Sequence, residues 1–86
     1  MKDSIKVYSL PTCGMCKALK QLLKTRNIQY EDCQDIELMK ELGITGTPTL
    51  EFNGVRYYAK KAVDFIKQHF ILSEDGTYIY SEQAEN

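Results

Sequence analysis

Three cysteines and one histidine are the side chains of this 86-residue chain best suited to covalent or metal chemistry. Two of them, Cys13 and Cys16, stand close together in the stretch Pro11-Thr12-Cys13-Gly14-Met15-Cys16-Lys17, and the third is Cys33. A pair at this spacing can supply half of a zinc site, close a structural crosslink, or exchange disulfides. A structural zinc site needs about four ligands, usually two close pairs. Beyond the first pair the chain has only Cys33 and His69, in no paired spacing. A static crosslink across so short a loop removes little entropy from the unfolded chain. Exchange is therefore the reading that the position of the pair has to support.

The position does so. Ile5-Lys6-Val7-Tyr8 with Leu10 reads as a short strand, ended by Pro11, which lacks an amide hydrogen and restricts its predecessor. From Gly14 to about Arg26, Cys16, Leu19, Leu22 and Leu23 recur at helical spacing, with Lys17, Lys20, Gln21 and Lys24 on the other face. Cys13 thus falls at the helix start, where unpaired N–H groups and the positive end of the helix dipole favour a thiolate. Cys16 falls one turn in, on the apolar stripe. Cys13 is the expected nucleophile and Cys16 the resolving thiol, with Lys17 able to add positive field unless it merely faces water.

Ile28 to Cys33 alternates like a half-buried strand, which makes a strand-helix-strand unit whose strands should run parallel. A short helix follows, with Asp35 as N-cap, Ile36, Met39 and Leu42 as its apolar side and Gly43 as its stop. Thr49-Leu50-Glu51-Phe52, Asn53-Gly54 and Val55-Arg56-Tyr57-Tyr58 form a hairpin signature, because Asn-Gly tolerates the positive φ angles of a type I′ turn. Ala62, Val63, Ile66 and Phe70 give a last helix its apolar stripe. Domain organisation is read as one domain over residues 1–72 and a polar tail over 73–86, in which Thr77-Tyr78-Ile79-Tyr80 either forms a brief strand or packs loosely. The last few residues should fray.

A chain of this length buries about 60–65% of its unfolded surface, enough for a single core. With 43% hydrophobic residues, 27% charged residues and a net charge of -1, it is globular in composition and lacks the basic footprint of a nucleic-acid binder. No stretch is long and apolar enough to span a membrane, and no secretion signal is read at Met1-Lys2-Asp3-Ser4-Ile5. An odd number of cysteines does not look like a secreted disulfide framework, so a cytoplasmic, reducing location is expected. A monomer is expected, without nucleic-acid or membrane partners.

The cysteine pair at a strand exit, followed after the second helix by Gly46-Thr47-Pro48-Thr49 leading into a hairpin, resembles the thioredoxin superfamily and is most similar to glutaredoxins. The resemblance runs from about Lys6 to Phe70. It implies an α/β thioredoxin fold with a four-stranded mixed sheet flanked by three helices. It also implies a cis peptide bond before Pro48, and a Thr47 backbone that pairs with an extended substrate segment. The implied activity is that of a thiol-disulfide oxidoreductase acting on disulfide-containing proteins or small molecules. Its candidate site residues are Cys13 and Cys16 for exchange, with Thr12, Lys17, Thr47 and Pro48 for substrate binding.

No tightly bound cofactor is expected, and the electron donor is open between glutathione and a thioredoxin reductase. Glutathione-using glutaredoxins commonly carry a lysine three residues before the first cysteine, where this chain has Leu10. They also carry Gly-Gly and acidic residues after the hairpin, where this chain has Tyr57-Tyr58-Ala59-Lys60-Lys61. Some glutaredoxins with glycine after the first cysteine, as Gly14 is here, hold an iron-sulfur cluster with glutathione as co-ligand. A metal- or cluster-binding protein using Cys13 is therefore the alternative. Cys33 is expected as a half-exposed thiol at a strand end, His69 as a solvated group at a helix terminus, and Tyr57 and Tyr58 as one packed and one exposed residue.

Overall fold

The apolar runs and turn signals become nine elements in the computed structural model, which describes residues 4–82. Strand β1 (Ile5–Tyr8) leads to helix α1 (Gly14–Thr25), β2 (Glu31–Cys33) and α2 (Ile36–Glu41). The hairpin β3 (Thr49–Phe52) and β4 (Val55–Tyr58) then gives way to α3 (Lys60–His69), and a second hairpin, β5 (Phe70–Leu72) and β6 (Tyr78–Tyr80), follows. The main sheet has the order β2-β1-β3-β4, with β1 parallel to β2 and antiparallel to β3, and β3 antiparallel to β4. This is the four-stranded mixed sheet with three helices that the resemblance implied.

Strand alternation sorts the core into two layers. Ile5, Val7, Leu50 and Phe52 join Leu19 and Leu23 of α1 and Ala62, Phe65 and Ile66 of α3 in the larger cluster. Tyr8 packs on the opposite face with Met39 of α2 and Ile44. Leu19, Leu23 and Ile66 are fully buried, each a contribution of about 1.5–3 kcal/mol from removing its side chain from water.

Several local details depart from the sequence reading. β2 starts at Glu31 rather than Ile28, because Ile28 finishes α1 instead: its N–H donates to Leu23 O at 2.9 Å and Asn27 N–H to Lys24 O at 3.0 Å, with Asn27 at φ 58°. That is a Schellman-type end built on a left-handed asparagine. Met39 is buried in α2, whereas Ile36 at its start and Leu42, which caps its C-terminus, are exposed. Asp35 does cap it, accepting from Leu38 N–H at 3.2 Å.

Phe70 belongs to β5, not to the last helix. It keeps the buried position that the helical stripe assigned to it while its backbone turns extended. The boundary expected at residue 72 falls inside the β5–β6 hairpin, whose Tyr78 and Tyr80 pack against the larger core cluster. Its turn is organised by Asp75, whose carboxylate accepts from Ser73 Oγ and from Thr77 N–H and Oγ, and these bonds lower its pKa to about 2. His69 is half-buried rather than solvated, with Nδ1–H donating to Ser81 O at 2.8 Å and its ring between Phe65 and Tyr80. The fraying expected of the last few residues concerns positions outside the described residues.

Candidate active site

β1 ends at Tyr8, and a tight turn, with Cys13 N–H donating to Leu10 O at 3.2 Å, delivers the chain to α1. Cys13 is the N-cap of that helix, in extended conformation, and its Sγ accepts from Cys16 N–H at 3.1 Å. The Cys13 sulfur thus does the work usually given to a Ser or Asp oxygen at this position. Cys13 and Cys16 are joined as a disulfide, with Cα atoms 5.2 Å apart. Cys16 is fully buried on the face shared with Leu19 and Leu23, whereas Cys13 is partly exposed. A reagent from solvent therefore meets Cys13 first. The first turn of α1 contains no acidic residue to oppose a thiolate there.

Strand register gathers the remaining groups. Tyr8 pairs with Thr49, Thr49 with Tyr58, and Tyr8 with Cys33, so the ends of β1, β2 and β4 and the start of β3 meet at one edge of the sheet. The Thr47-Pro48 bond is cis, as the resemblance implied, and enters β3 there. Pro48 is buried, its carbonyl accepting from Ala59 N–H at 2.9 Å, and Thr49 Oγ donates to Gly46 O at 2.7 Å. These bonds fix the backbone on both sides of Thr47. Among the described residues, no other backbone or side chain bonds the N–H or C=O of Thr47.

Thr12 is exposed beside Cys13, and Lys17 is exposed on the outer side of α1 without a side-chain partner among the described residues. Leu10, Ile36, Met39, Ile44 and Thr47 line an apolar groove of about 460 Å³ with Lys40 at its side. The position at which a lysine is common in glutathione-using relatives is therefore an apolar wall here. Ala59, at the junction of β4 and α3, has φ 55° and ψ -120°, a strained conformation for a residue with a Cβ.

Sequence reasoning missed three arrangements at this end. Ser9, fully buried, donates to Asp32 at 2.7 Å, and Lys20 pairs with the other Asp32 oxygen at 3.0 Å, tying α1 to β2 beneath the cysteine loop. The second is the seat of Cys33, which is half-exposed at the end of β2 as expected: its carbonyl accepts from Ser9 N–H at 3.0 Å, and it packs against Tyr8, Met39 and Ile44. The third is the Tyr58 ring lying against Gly46. Only strand register places any of these, and nothing in the local sequence signals it. Among the described residues, no group of three or more His, Cys, Asp or Glu is placed to hold a metal ion.

A β-α-β unit followed by a helix, a hairpin and a last helix, with a cysteine pair opening α1 and a cis-proline entering β3, defines a protein of the thioredoxin fold. Within that fold the chain belongs to the glutaredoxin family, whose profile matches residues 5–57. It is 49% identical over 37 residues to an uncharacterized glutaredoxin-like 8.6 kDa protein in the rubredoxin operon of Clostridium pasteurianum. That similarity covers 43% of this chain and 49% of the relative, about half of each. No solved structure gives a significant match. Among the described residues, no helix is long and apolar enough to cross a membrane.

Proposed function

We propose that this protein is a dithiol oxidoreductase that reduces disulfides in proteins and small molecules. The observation that carries the reading is the unequal access of the paired cysteines: Cys13 is partly exposed at the α1 N-terminus, and Cys16 is buried behind it. In the reduced protein the Cys13 thiolate attacks a substrate sulfur. A mixed disulfide forms and one substrate thiolate leaves. Cys16 then attacks Cys13 Sγ, the second substrate thiol is released, and two electrons have passed from the dithiol to the substrate.

Thr47 offers its N–H and C=O, unpaired among the described residues, to an extended substrate segment, and buried Pro48 holds that backbone in place. Exposed Thr12 and Lys17 border the approach to Cys13. No tightly bound cofactor takes part. A cytoplasmic location suits a dithiol that must be regenerated by a reductant.

The reductant is either glutathione or a thioredoxin reductase, and one experiment decides both it and the activity. Oxidised protein is supplied with NADPH and a disulfide substrate, together with glutathione and its reductase or with thioredoxin reductase. NADPH consumption in one arm is the expected result. No turnover in either arm, together with stoichiometric iron or zinc in anaerobically purified protein, would overturn the reading.

A further inference from the structure

Tyr58 and Gly46 form a contact that the exchange chemistry does not require. A Cβ built on Gly46 would lie 2.6 Å from Tyr58 Cε1 and 2.9 Å from its hydroxyl oxygen, so the ring lies directly on the Gly46 backbone. Gly46 is not at positive φ, and its lack of a side chain is explained by this ring rather than by backbone conformation. Tyr58 is nevertheless 57% exposed. Its neighbour Tyr57 points the other way and stacks on Phe65 at 4.3 Å between centroids.

An exposed aromatic ring thus lies one residue before Thr47, whose backbone groups are unpaired among the described residues. On the same face, Arg56 donates to Leu42 O at 2.7 Å and pairs with Glu51 at 3.1 Å, so the segment entering Gly46 is held from the β4 side.

We infer that Tyr58 is a specificity-determining residue, whose ring receives an apolar side chain next to the cysteine of a polypeptide disulfide. The inference rests on the proposed exchange reading. A segment extended along Thr47 runs past Gly46, and its flanking side chain comes over the ring. Apolar contact with an aromatic face then adds to transition-state binding for a polypeptide and adds nothing for a disulfide that has no flanking residue. Tyr58 therefore biases the protein toward polypeptide partners, including a protein reductant.

The test compares single-turnover rates of pre-reduced protein with two cystine-bridged peptides, identical except for Leu or Gly beside the cysteine. Hydroxyethyl disulfide, with no side chain to reach the ring, supplies the rate against which each variant is normalised. The wild type should prefer the Leu peptide by about tenfold, the effect expected of one aromatic contact, and Tyr58→Ala should bring the ratio to about one. Tyr58→Phe, which keeps the ring, should retain the preference.

Gly46→Ala supplies a second route, because its methyl group must push the exposed ring aside while leaving Tyr58 in the chain. It should lower the ratio as Tyr58→Ala does, and the double variant should lose nothing more. A preference that survives in Tyr58→Ala or in Gly46→Ala would overturn the inference, as would a wild type that does not distinguish the peptides. Failure of wild-type protein to reduce hydroxyethyl disulfide at all would instead overturn the exchange reading beneath it.

Discussion

The two ends of the main sheet are built on different principles. At the end where β3 finishes, Phe52 meets Phe65 at 5.2 Å, Phe70 at 6.0 Å and Tyr80 at 4.7 Å between ring centroids, and the β5–β6 hairpin closes over the cluster. At the end where β3 begins, Thr47 keeps its backbone groups unpaired among the described residues, Tyr58 and Ile36 stay exposed, and Cys13 is partly exposed. One end packs its rings on one another. The other leaves the backbone donor and acceptor of Thr47 available, and holds them on a backbone pinned at Leu42, Gly46 and Pro48. The cysteine end is thus held by hydrogen bonds around Thr47 rather than by covering it.

If that division is right, substitutions at the two ends should separate activity from stability. Cys13→Ser should abolish disulfide exchange, measured by NADPH-coupled turnover, while leaving urea denaturation under reducing conditions within about 0.5 kcal/mol of wild type, as for a substitution outside the core. Phe52→Ala should do the reverse. Losing a ring that is only 4% exposed should cost about 3–5 kcal/mol by denaturant unfolding, with the Cys13 alkylation rate retained in whatever fraction stays folded.

Ala59→Gly sharpens the comparison at the junction of the active end. Glycine tolerates the φ of 55° that alanine does not, so the substitution should stabilise the fold by about 1 kcal/mol, the low end of the strain cost. The smallest effect belongs to Asp75 in the far hairpin. Its carboxyl is held near pKa 2 by bonds from Ser73 and Thr77, below the unfolded value of 3.8. A depressed carboxyl stabilises the folded state above the unfolded pKa and loses that contribution as pH falls through the folded one. Amide exchange at Thr77, monitored by NMR, should therefore accelerate between about pH 4 and pH 2, relative to amides in α1, and should lose that acid dependence in Asp75→Asn.

Much of this division is visible in the residues themselves. The cysteine pair, its place at a helix start and the Asn53-Gly54 hairpin are local signals, and each falls where its spacing put it. Thr47-Pro48 was legible through resemblance, and the cis bond agrees with it. Where the reading strayed, longer-range structure decided. Ile28 was drawn into the end of α1, and Phe70 left the helix to pair with Tyr80, a partner ten residues on. The Ser9-Asp32-Lys20 link and the Tyr58-Gly46 contact depend on which strands lie side by side, which residue periodicity does not report. His69 looked like a solvated helix end for the same reason, because its partner Ser81 is reached only after the second hairpin folds back.

The central claim is the assignment of Cys13 as attacking thiol and Cys16 as resolving thiol. Mass spectrometry of Cys16→Ser, mixed in reduced form with a peptide disulfide, tests it most directly. The expected product is a stable one-to-one mixed disulfide whose linkage maps to Cys13, with no comparable adduct in Cys13→Ser. An adduct on Cys16 in the Cys13→Ser protein, or equal failure of both variants to trap the peptide, would contradict it.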